Sequence, residues 1–323
     1  MYEGTEQIDG IWYEYDNDIA IVSQNIDEDL KDKYIKIPEK IKDSDGYSHR
    51  VTKIENGAFF GCEKLEAIEI SDSVEEIENN AFSGCVNLKL VKLPNKLTKI
   101  ERCLFFECTN LQTLVIPDSV KSIGDDAFWC CENLTDLILP ESLEKLGENV
   151  FGFCEKLTSL FIPASVTEIN SKALTHRSSF ESLEVDGENV NYFSDGNCVI
   201  EKSTNKLVAG CKNSVIPHYV TEIGDYAFSM ISGLECVNLP QSVVRIGREA
   251  FSKCYSLQEV YIPSSVTQIG ENAFEKCNFG KVTLNCDFAK KPEGWADNLG
   301  VKRNCFVWKG KRGLFARLKS LFK

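Results

Sequence analysis

Residues 120–142 read VKSIGDDAFWCCENLTDLILPES, and the next 23 residues, 143–165, read LEKLGENVFGFCEKLTSLFIPAS. The two stretches share few polar letters, but their apolar positions coincide. Phe128 returns as Phe151, and the dipeptide Leu-Pro returns as Ile-Pro. An apolar skeleton that recurs at a fixed period indicates a repeat protein, because one repeat can bury its apolar face only against the next.

Nine units of this kind can be aligned along the chain. They begin at Val51, Val74, Leu97, Val120, Leu143, Val166, Val220, Val243 and Val266. The ninth position holds Phe59, Phe82, Phe105, Phe128, Phe151, Leu174, Phe228, Phe251 and Phe274. The twelfth position is a cysteine in seven units: Cys62, Cys85, Cys108, Cys131, Cys154, Cys254 and Cys277. We therefore expect a buried ladder of aromatic rings and a parallel ladder of thiols.

The local pattern within one unit predicts its secondary structure. The segment LTDLIL alternates as a half-buried strand does, with Leu134, Leu137 and Leu139 inward and Asp136 and Ile138 outward. The proline that follows marks a turn. The segment GDDAFWCC favours a single helical turn. The predicted fold is therefore a mainly β repeat solenoid of stacked 23-residue coils with short helical turns.

Three stretches carry a resemblance to a known family: SVKSIGDDAFWCCENLTDLILP, YVTEIGDYAFSMISGLECVNLP and SVVRIGREAFSKCYSLQEVYIP. They resemble the BspA-like, or Treponema-type, leucine-rich repeat family, and the resemblance covers about residues 30–310. It implies a right-handed, curved leucine-rich-repeat solenoid that is used for binding. Described members of that family are mostly adhesion-type proteins of the cell surface or secreted proteins.

The repeats divide the chain into five predicted parts. Residues 1–50 form an N-terminal cap, 51–288 the solenoid, 289–310 a C-terminal cap and 311–323 a tail. Within the solenoid, about residues 176–219 form a longer coil, where CVIE and KLVAG predict a hairpin. This coil either remains in the stack or protrudes as a binding element.

Charge is distributed unevenly. The net charge is −13, but residues 302–323 hold eight basic residues and no acid, so the preceding 301 residues carry −21. A body with this much negative charge repels nucleic-acid phosphates, so we expect that it does not bind DNA or RNA. The first residues show no secretory signal and no window approaches a transmembrane span, so we expect a cytoplasmic location, with a secreted or cell-surface location as the alternative.

The sequence offers no recognisable catalytic or metal-binding constellation. The three histidines, His49, His176 and His218, lie in no catalytic signature, and no phosphate-binding or zinc motif is present. Adjacent ladder cysteines are spaced too widely for an unstrained disulfide, so we expect core thiols. We therefore predict no enzyme activity, no cofactor and no metal.

Outward strand positions provide the candidate binding site. Val115, Ile138 and Phe161 occupy one outward column on three successive coils, with Leu90 nearby and Tyr261 farther along the same column. A contiguous apolar patch at solvent positions indicates a partner surface. Alternatives are coverage by the chain's own tail, by a crystal contact or by a dimer partner, or the opposite inward and outward assignment of these strand positions.

The tail 311–323 has an amphipathic pattern. At helical periodicity, its apolar side chains fall on one face: Leu314, Phe315, Leu318, Leu321 and Phe322. Such a segment can lie on an anionic membrane, dock on a partner, remain solvated or fold back onto the acidic body. The sequence thus favours a non-enzymatic protein-interaction scaffold of unknown partner and oligomeric state. The alternatives are a peripheral membrane protein anchored by the tail and a cell-surface adhesion-type protein.

Overall fold

The computed structural model describes residues 4–23, 32–176 and 179–278, together with the backbone of 281–284 and 306–308. The chain forms two compact units, and the division between them falls inside the long coil. Unit 1 comprises Met1–Phe180 and Val185–Val190, and unit 2 comprises Glu181–Glu184 and Asn191–Lys323. Each unit is a β-solenoid, and the described residues contain strands and turns but no helix. The predicted fold class is confirmed.

Unit 1 begins with a small sheet. Its strands are β1 (Gly4–Ile8), β2 (Ile11–Asp16), β3 (Ile19–Val22), β5 (Lys40–Lys42) and β6 (Ser48–Ile54), whereas β4 (Tyr34–Ile37) belongs to a separate sheet. β1, β2 and β3 form an antiparallel meander, and β3 continues in parallel to β6. β4 pairs in parallel with the first strand of the repeats, so the segment before the repeats already supplies a matching edge strand.

The coils of unit 1 carry two rows of parallel strands. The longer row is β7 (Ala67–Ile70), β9 (Leu90–Lys92), β11 (Thr113–Val115), β13 (Asp136–Ile138) and β15 (Ser159–Ile162). The shorter row is β8 (Glu76–Ile77), β10 (Lys99–Ile100), β12 (Ser122–Ile123), β14 (Lys145–Leu146) and β16 (Glu168–Ile169). Paired residues in both rows are 23 positions apart, as the sequence period predicts.

Unit 2 combines a meander with three coils. β17 (Ser182–Val185) lies at the unit boundary, and β18 (Tyr192–Asp195), β19 (Cys198–Glu201) and β20 (Lys206–Gly210) form an antiparallel meander. The predicted hairpin is thus β19–β20. The coils supply β21 (Glu222–Ile223), β22 (Cys236–Asn238), β23 (Arg245–Ile246), β24 (Glu259–Ile262), β25 (Gln268–Ile269), β26 (Lys281–Leu284) and β27 (Phe306–Trp308).

Each coil has a third hydrogen-bonded side where the sequence predicted a helical turn. In the coil that begins at Leu97, the N–H groups of Cys103, Phe105 and Glu107 donate to carbonyls of the next coil at 2.9, 2.9 and 2.7 Å. Cys103 and Glu107 adopt left-handed φ values of 53° and 57°. These two residues break any helical path, because they turn N–H groups toward the neighbouring coil rather than back along the segment.

The phenylalanine ladder forms the centre of each unit. In unit 1 the rings of Phe59, Phe82, Phe105, Phe128 and Phe151 stack at centroid distances of 5.5, 5.6, 5.7 and 6.1 Å. In unit 2 Phe228, Phe251 and Phe274 repeat the stack at 5.0 Å per step. All eight side chains are essentially inaccessible to solvent. The prediction of a buried aromatic ladder is confirmed for both units.

The cysteine ladder lies beside the rings, and its cysteines are thiols. The Sγ of Cys108 donates to the carbonyl of Phe82 at 3.1 Å, and that of Cys131 donates to the carbonyl of Phe105 at 3.2 Å. A small side chain with a weak donor therefore fits this position, since it fills the core and also satisfies a buried carbonyl. Cys130, next to Cys131, is half-buried, so the adjacent pair divides between surface and core.

Candidate partner-binding surface

The exposed apolar column of unit 1 follows from strand alternation. In β11 and β13 the middle residues, Leu114 and Leu137, face inward, which leaves the flanking residues outward. Val115 is 82% exposed, Ile138 83% and Phe161 47%. A contiguous group of exposed apolar side chains, unlike a single one, is typical of a surface that contacts a partner.

Register places the column's members side by side. Val115 lies opposite Ile138 in the parallel β11–β13 pair, and Phe161 is 23 residues farther on, in β15. Adjacent parallel strands are about 4.8 Å apart, so these side chains form one apolar strip. Leu90, which is also exposed, occupies the parallel outward column on β9. We call Leu90, Val115, Ile138 and Phe161 the apolar strip.

The same columns are charged on the preceding coils. Glu69 accepts a hydrogen bond from Lys92 at 2.8 Å and another from the Tyr34 hydroxyl at 2.9 Å. The Lys92 ammonium, aided by Tyr34, lowers the pKa of the Glu69 carboxyl to about 2. The polar side chains beside the apolar strip are thus hydrogen-bonded to one another. The apolar side chains of the strip, in contrast, are exposed to solvent.

A second charged row lies next to the first. Glu66 is bridged by Lys33 at 2.6 Å and by Lys89 at 2.8 Å. Hydrogen bonds from the Lys33 and Lys89 ammonium groups lower the pKa of the Glu66 carboxyl to about 2. Together the two rows form a polar border at the N-terminal side of the apolar strip.

The structure does not place every predicted site residue in this strip. Tyr261 belongs to unit 2, where it is half-buried on β24 between Asn238 and Thr283. The five apolar residues of the tail, Leu314, Phe315, Leu318, Leu321 and Phe322, lie outside the described residues. The apolar strip is therefore a property of unit 1, and the tail prediction stays a prediction.

Sequence reasoning missed a second group of aromatic side chains, on the turn side of unit 1. Trp129 stacks on Phe106 with a centroid distance of 6.5 Å and meets the edges of Phe153 and His176 at 4.9 and 4.8 Å. We call Phe106, Trp129, Phe153 and His176 the turn-side aromatic cluster. The ring of His176 is half-buried against the Trp129 indole. Aromatic residues at the tenth and eleventh repeat positions were the sequence signal that could have revealed this cluster.

The ladder thiols are poorly suited to nucleophilic chemistry. Burial raises the pKa of the Cys108, Cys131 and Cys154 thiols above the ordinary value. The thiolate is the reactive form, so these side chains are inert at neutral pH. Within the described ranges, no group of three or more His, Cys, Asp or Glu side chains is placed to hold a metal ion.

A family model matches most of the chain. The BspA type leucine rich repeat region aligns with residues 52–181 and 192–293. The chain belongs to this BspA type leucine-rich repeat family. The gap between the two matched segments falls in the long coil, where the division into two units also lies.

Several solved structures are similar to the chain. A leucine rich cell surface protein from Faecalibacterium prausnitzii is 24% identical with a TM-score of 0.67, covering 98% of this chain and 97% of its own. The pneumococcal vaccine antigen PcpA is 20% identical with a TM-score of 0.71, covering 99% and 96%. A leucine-rich repeat protein from Eubacterium ventriosum is 18% identical with a TM-score of 0.58, covering 88% and 72%. At these identities the similarity establishes the fold alone.

Among curated proteins, no sequence matches this BspA type chain. The part of the chain that the structure describes offers no helix of the length and hydropathy needed to cross a bilayer.

Proposed function

We propose that the protein is a non-enzymatic binding scaffold that holds a protein partner on the strand face of unit 1. The apolar strip carries the proposal, because Val115 and Ile138 are more than four-fifths exposed on adjacent paired strands. Burying apolar area contributes about 25 cal/mol per Å², so a partner that covers the strip gains substantial free energy. Central apolar anchors with a polar border are typical of interfaces.

The border supports specificity rather than affinity. Glu66 and Glu69 are already neutralised by lysines on neighbouring coils, so a partner need not supply their counter-charges. Exposed ion pairs of this kind contribute little binding free energy and chiefly orient the encounter. The strip therefore supplies the main attraction, and Phe161, the largest of its side chains, is the expected anchor.

The decisive experiment compares Phe161→Asp with Phe60→Asp. Both are exposed phenylalanines of unit 1, but Phe60 lies on the turn side, away from the strip. Proteins captured from the native lysate by wild type and by Phe60→Asp, but lost with Phe161→Asp, are the expected partners. Their binding is then measured with purified components. Equal capture by all three forms contradicts the proposal.

A second candidate is a cell-surface binding protein of the adhesion type. Two structures that align over nearly the full length of the chain are a leucine rich cell surface protein and a vaccine antigen. These similar structures give no support to the cytoplasmic location expected from the sequence. Labelling of intact cells with an antibody against the protein, followed by fractionation, tests this candidate. Recovery of the protein only in the soluble interior fraction contradicts it.

A further inference from the structure

A cavity lies between two turns of the sheet that precedes the repeats in unit 1. Its volume is about 590 Å³, within the range of about 300–1,000 Å³ that is usual for small-ligand sites. No lysine or arginine is among the residues that line it. The lining includes two phenols, three carboxylates and one imidazole: Tyr15, Tyr47, Asp18, Asp43, Asp45 and His49.

Strand pairing brings the two turns together. The turn between β2 and β3 carries Asp18, and the turn between β5 and β6 carries Asp45. Strands β3 and β6 pair in parallel, and the N–H of Arg50 in β6 donates to the carbonyl of Asp18 at 2.7 Å. Carboxylates from two turns that are distant in sequence therefore border one cavity.

Asp43 uses both of its carboxylate oxygens to fix the second turn. Its Oδ1 accepts the N–H of Tyr47 at 2.8 Å, and its Oδ2 lies 3.1 Å from Nε2 of His49. The hydrogen bond with His49 lowers the pKa of the Asp43 carboxyl, so this group is ionised at neutral pH. Because an ionised carboxylate only accepts hydrogen bonds, Nε2 is the donor, and Nδ1 of the neutral ring is an acceptor.

The second nitrogen of His49 has an unused hydrogen-bonding capacity. Nδ1 is buried and has no hydrogen-bond partner among the described residues, although His49 as a whole, at 4% exposure, forms part of the cavity wall. A buried acceptor without a donor costs free energy, and a ligand N–H that reaches it removes that cost. This nitrogen therefore calls for a hydrogen-bond donor.

The aromatic part of the wall is held in place. The Tyr15 ring packs on the His49 ring with a centroid distance of 4.6 Å. Tyr15 also lies opposite Gly4 in the β1–β2 pair, and an added Cβ on Gly4 would collide with the phenol ring. The glycine thus leaves the space that the Tyr15 ring occupies beside the imidazole.

The cavity has negative potential. Burial, followed by three nearby carboxylates, raises the pKa of the Tyr15 phenol: Glu6, Asp43 and Asp45. Asp18 and Asp45 are exposed, and neither forms an ion pair within the part of the chain that the structure describes. Glu66 of the strand face, in contrast, is bridged by two lysines. The charge of the cavity is therefore available to a cationic ligand.

We propose that this cavity binds a guanidinium group, carried either by a small molecule or by an arginine side chain of another protein. A guanidinium is a planar cation with five N–H donors in a fixed fork, so one group can serve Asp18, Asp45 and Nδ1 of His49 together. Its flat face also stacks on aromatic rings, and the Tyr47 ring is 71% exposed at the cavity. An ammonium group has fewer donors and no flat face.

An NMR titration of the full-length chain with arginine amide tests the proposal. The ring signals of His49 are the readout, since the chain has only three histidines. They should shift and saturate with arginine amide. Citrulline amide, which has the same shape but a neutral ureido group, should leave them unchanged, and lysine amide should bind about tenfold more weakly.

Paired substitutions at exposed carboxylates locate the binding. Asp18→Asn combined with Asp45→Asn should weaken the affinity for arginine amide about tenfold, which corresponds to about 1.4 kcal/mol. The matched control, Asp118→Asn combined with Glu141→Gln, removes the same charge from exposed positions on the repeat coils and should leave the affinity unchanged. An unchanged circular dichroism spectrum verifies that both variants are folded.

A peptide separates the two possible sources of the guanidinium. Acetyl-Gly-Arg-Gly-amide that binds at least as tightly as arginine amide identifies a protein side chain as the ligand. Binding of arginine amide together with exclusion of the peptide identifies a small molecule. Both results support the guanidinium site and are independent of partner binding at the apolar strip.

Three results overturn the proposal. The first is the lack of a saturable shift of the His49 signals with arginine amide, and the second is equal binding of citrulline amide. Unchanged affinity in the Asp18 and Asp45 double variant shows that any binding occurs elsewhere. A saturable shift with calcium chloride alone would assign the cavity to a metal ion instead.

Discussion

Removal of one ring from the phenylalanine ladder tests the physical basis of the fold most directly. Phe128 is fully buried and stacks between Phe105 at 5.7 Å and Phe151 at 6.1 Å. Its backbone carbonyl also accepts the thiol of Cys154 at 3.2 Å. Phe128→Ala keeps that carbonyl but deletes the ring, so it isolates the contribution of side-chain packing.

The expected loss is roughly 3–5 kcal/mol of unfolding free energy, the range for truncation of a buried phenylalanine. Fully burying a phenylalanine contributes about 1.5–3 kcal/mol, and the cavity left behind adds to the cost because flanking rings cannot collapse freely. The coils on both sides are hydrogen-bonded to the coil of Phe128 on the turn side, which restricts relaxation. The cost should therefore lie at the upper end of the range.

Urea unfolding followed by circular dichroism provides the measurement, with Phe60→Ala as control. Phe60 is 62% exposed, so its truncation should change the free energy by no more than about 0.5 kcal/mol. Because stacked repeats can unfold in segments, the transition must be tested for two-state behaviour before a free energy is extracted. A change below 1 kcal/mol for Phe128→Ala refutes the ladder as the main stabilising element.

A double-mutant cycle sharpens the same test. Phe105 and Phe128 touch, so their combined truncation should deviate from additivity by at least 0.5 kcal/mol, within the range of about 0.5–3 kcal/mol for residues in contact. Phe59 and Phe128 lie three coils apart, and their effects should add within about 0.5 kcal/mol. Additivity in both pairs indicates that the rings stabilise their coils independently, which contradicts a continuous stack.

Three other outcomes are expected. Phe161→Asp should leave the unfolding free energy within about 0.5 kcal/mol of wild type while it weakens partner binding; an unfolded variant assigns Phe161 to the core instead. Thiol alkylation at pH 8 should label the exposed Cys236 quickly and the buried Cys131 only after denaturation; rapid native labelling of Cys131 contradicts the packing. The Glu66 carboxyl should titrate in NMR spectra near pH 2 rather than 4.5. Because its pKa is lower when folded, its stabilising contribution is present above about pH 4.5 and disappears as pH falls toward 2; a normal midpoint shows that the lysine bridges do not persist in solution.

The sequence alone determined the features that depend on local alternation and on the period. The 23-residue spacing specifies the strand register, so the sequence alone places Val115 opposite Ile138. Period-2 alternation determined that Leu137 faces inward and Ile138 outward. The hairpin of β19 and β20 was also predictable, because two apolar runs flank a polar turn. These features are local, and neighbouring residues suffice to specify them.

Only the tertiary structure decided how successive coils meet on the turn side. A helical turn and the observed left-handed turns have similar local sequences, and the choice depends on backbone groups of the adjacent coil that accept the hydrogen bonds. Glu107 adopts a left-handed φ without being glycine because its N–H donates to the carbonyl of Trp129 in the next coil. Nothing within its own coil supplies that partner.

The turn-side aromatic cluster shows the same limit. Trp129 occupies the tenth repeat position and His176 the eleventh, so no single column of the aligned units brings these two residues together. Their contact arises because the indole crosses a whole coil above Gly152, and this requires both the spacing between coils and the absence of a side chain at that glycine. The period specifies which coils are neighbours, but the direction of a large side chain across them is settled only by packing in three dimensions.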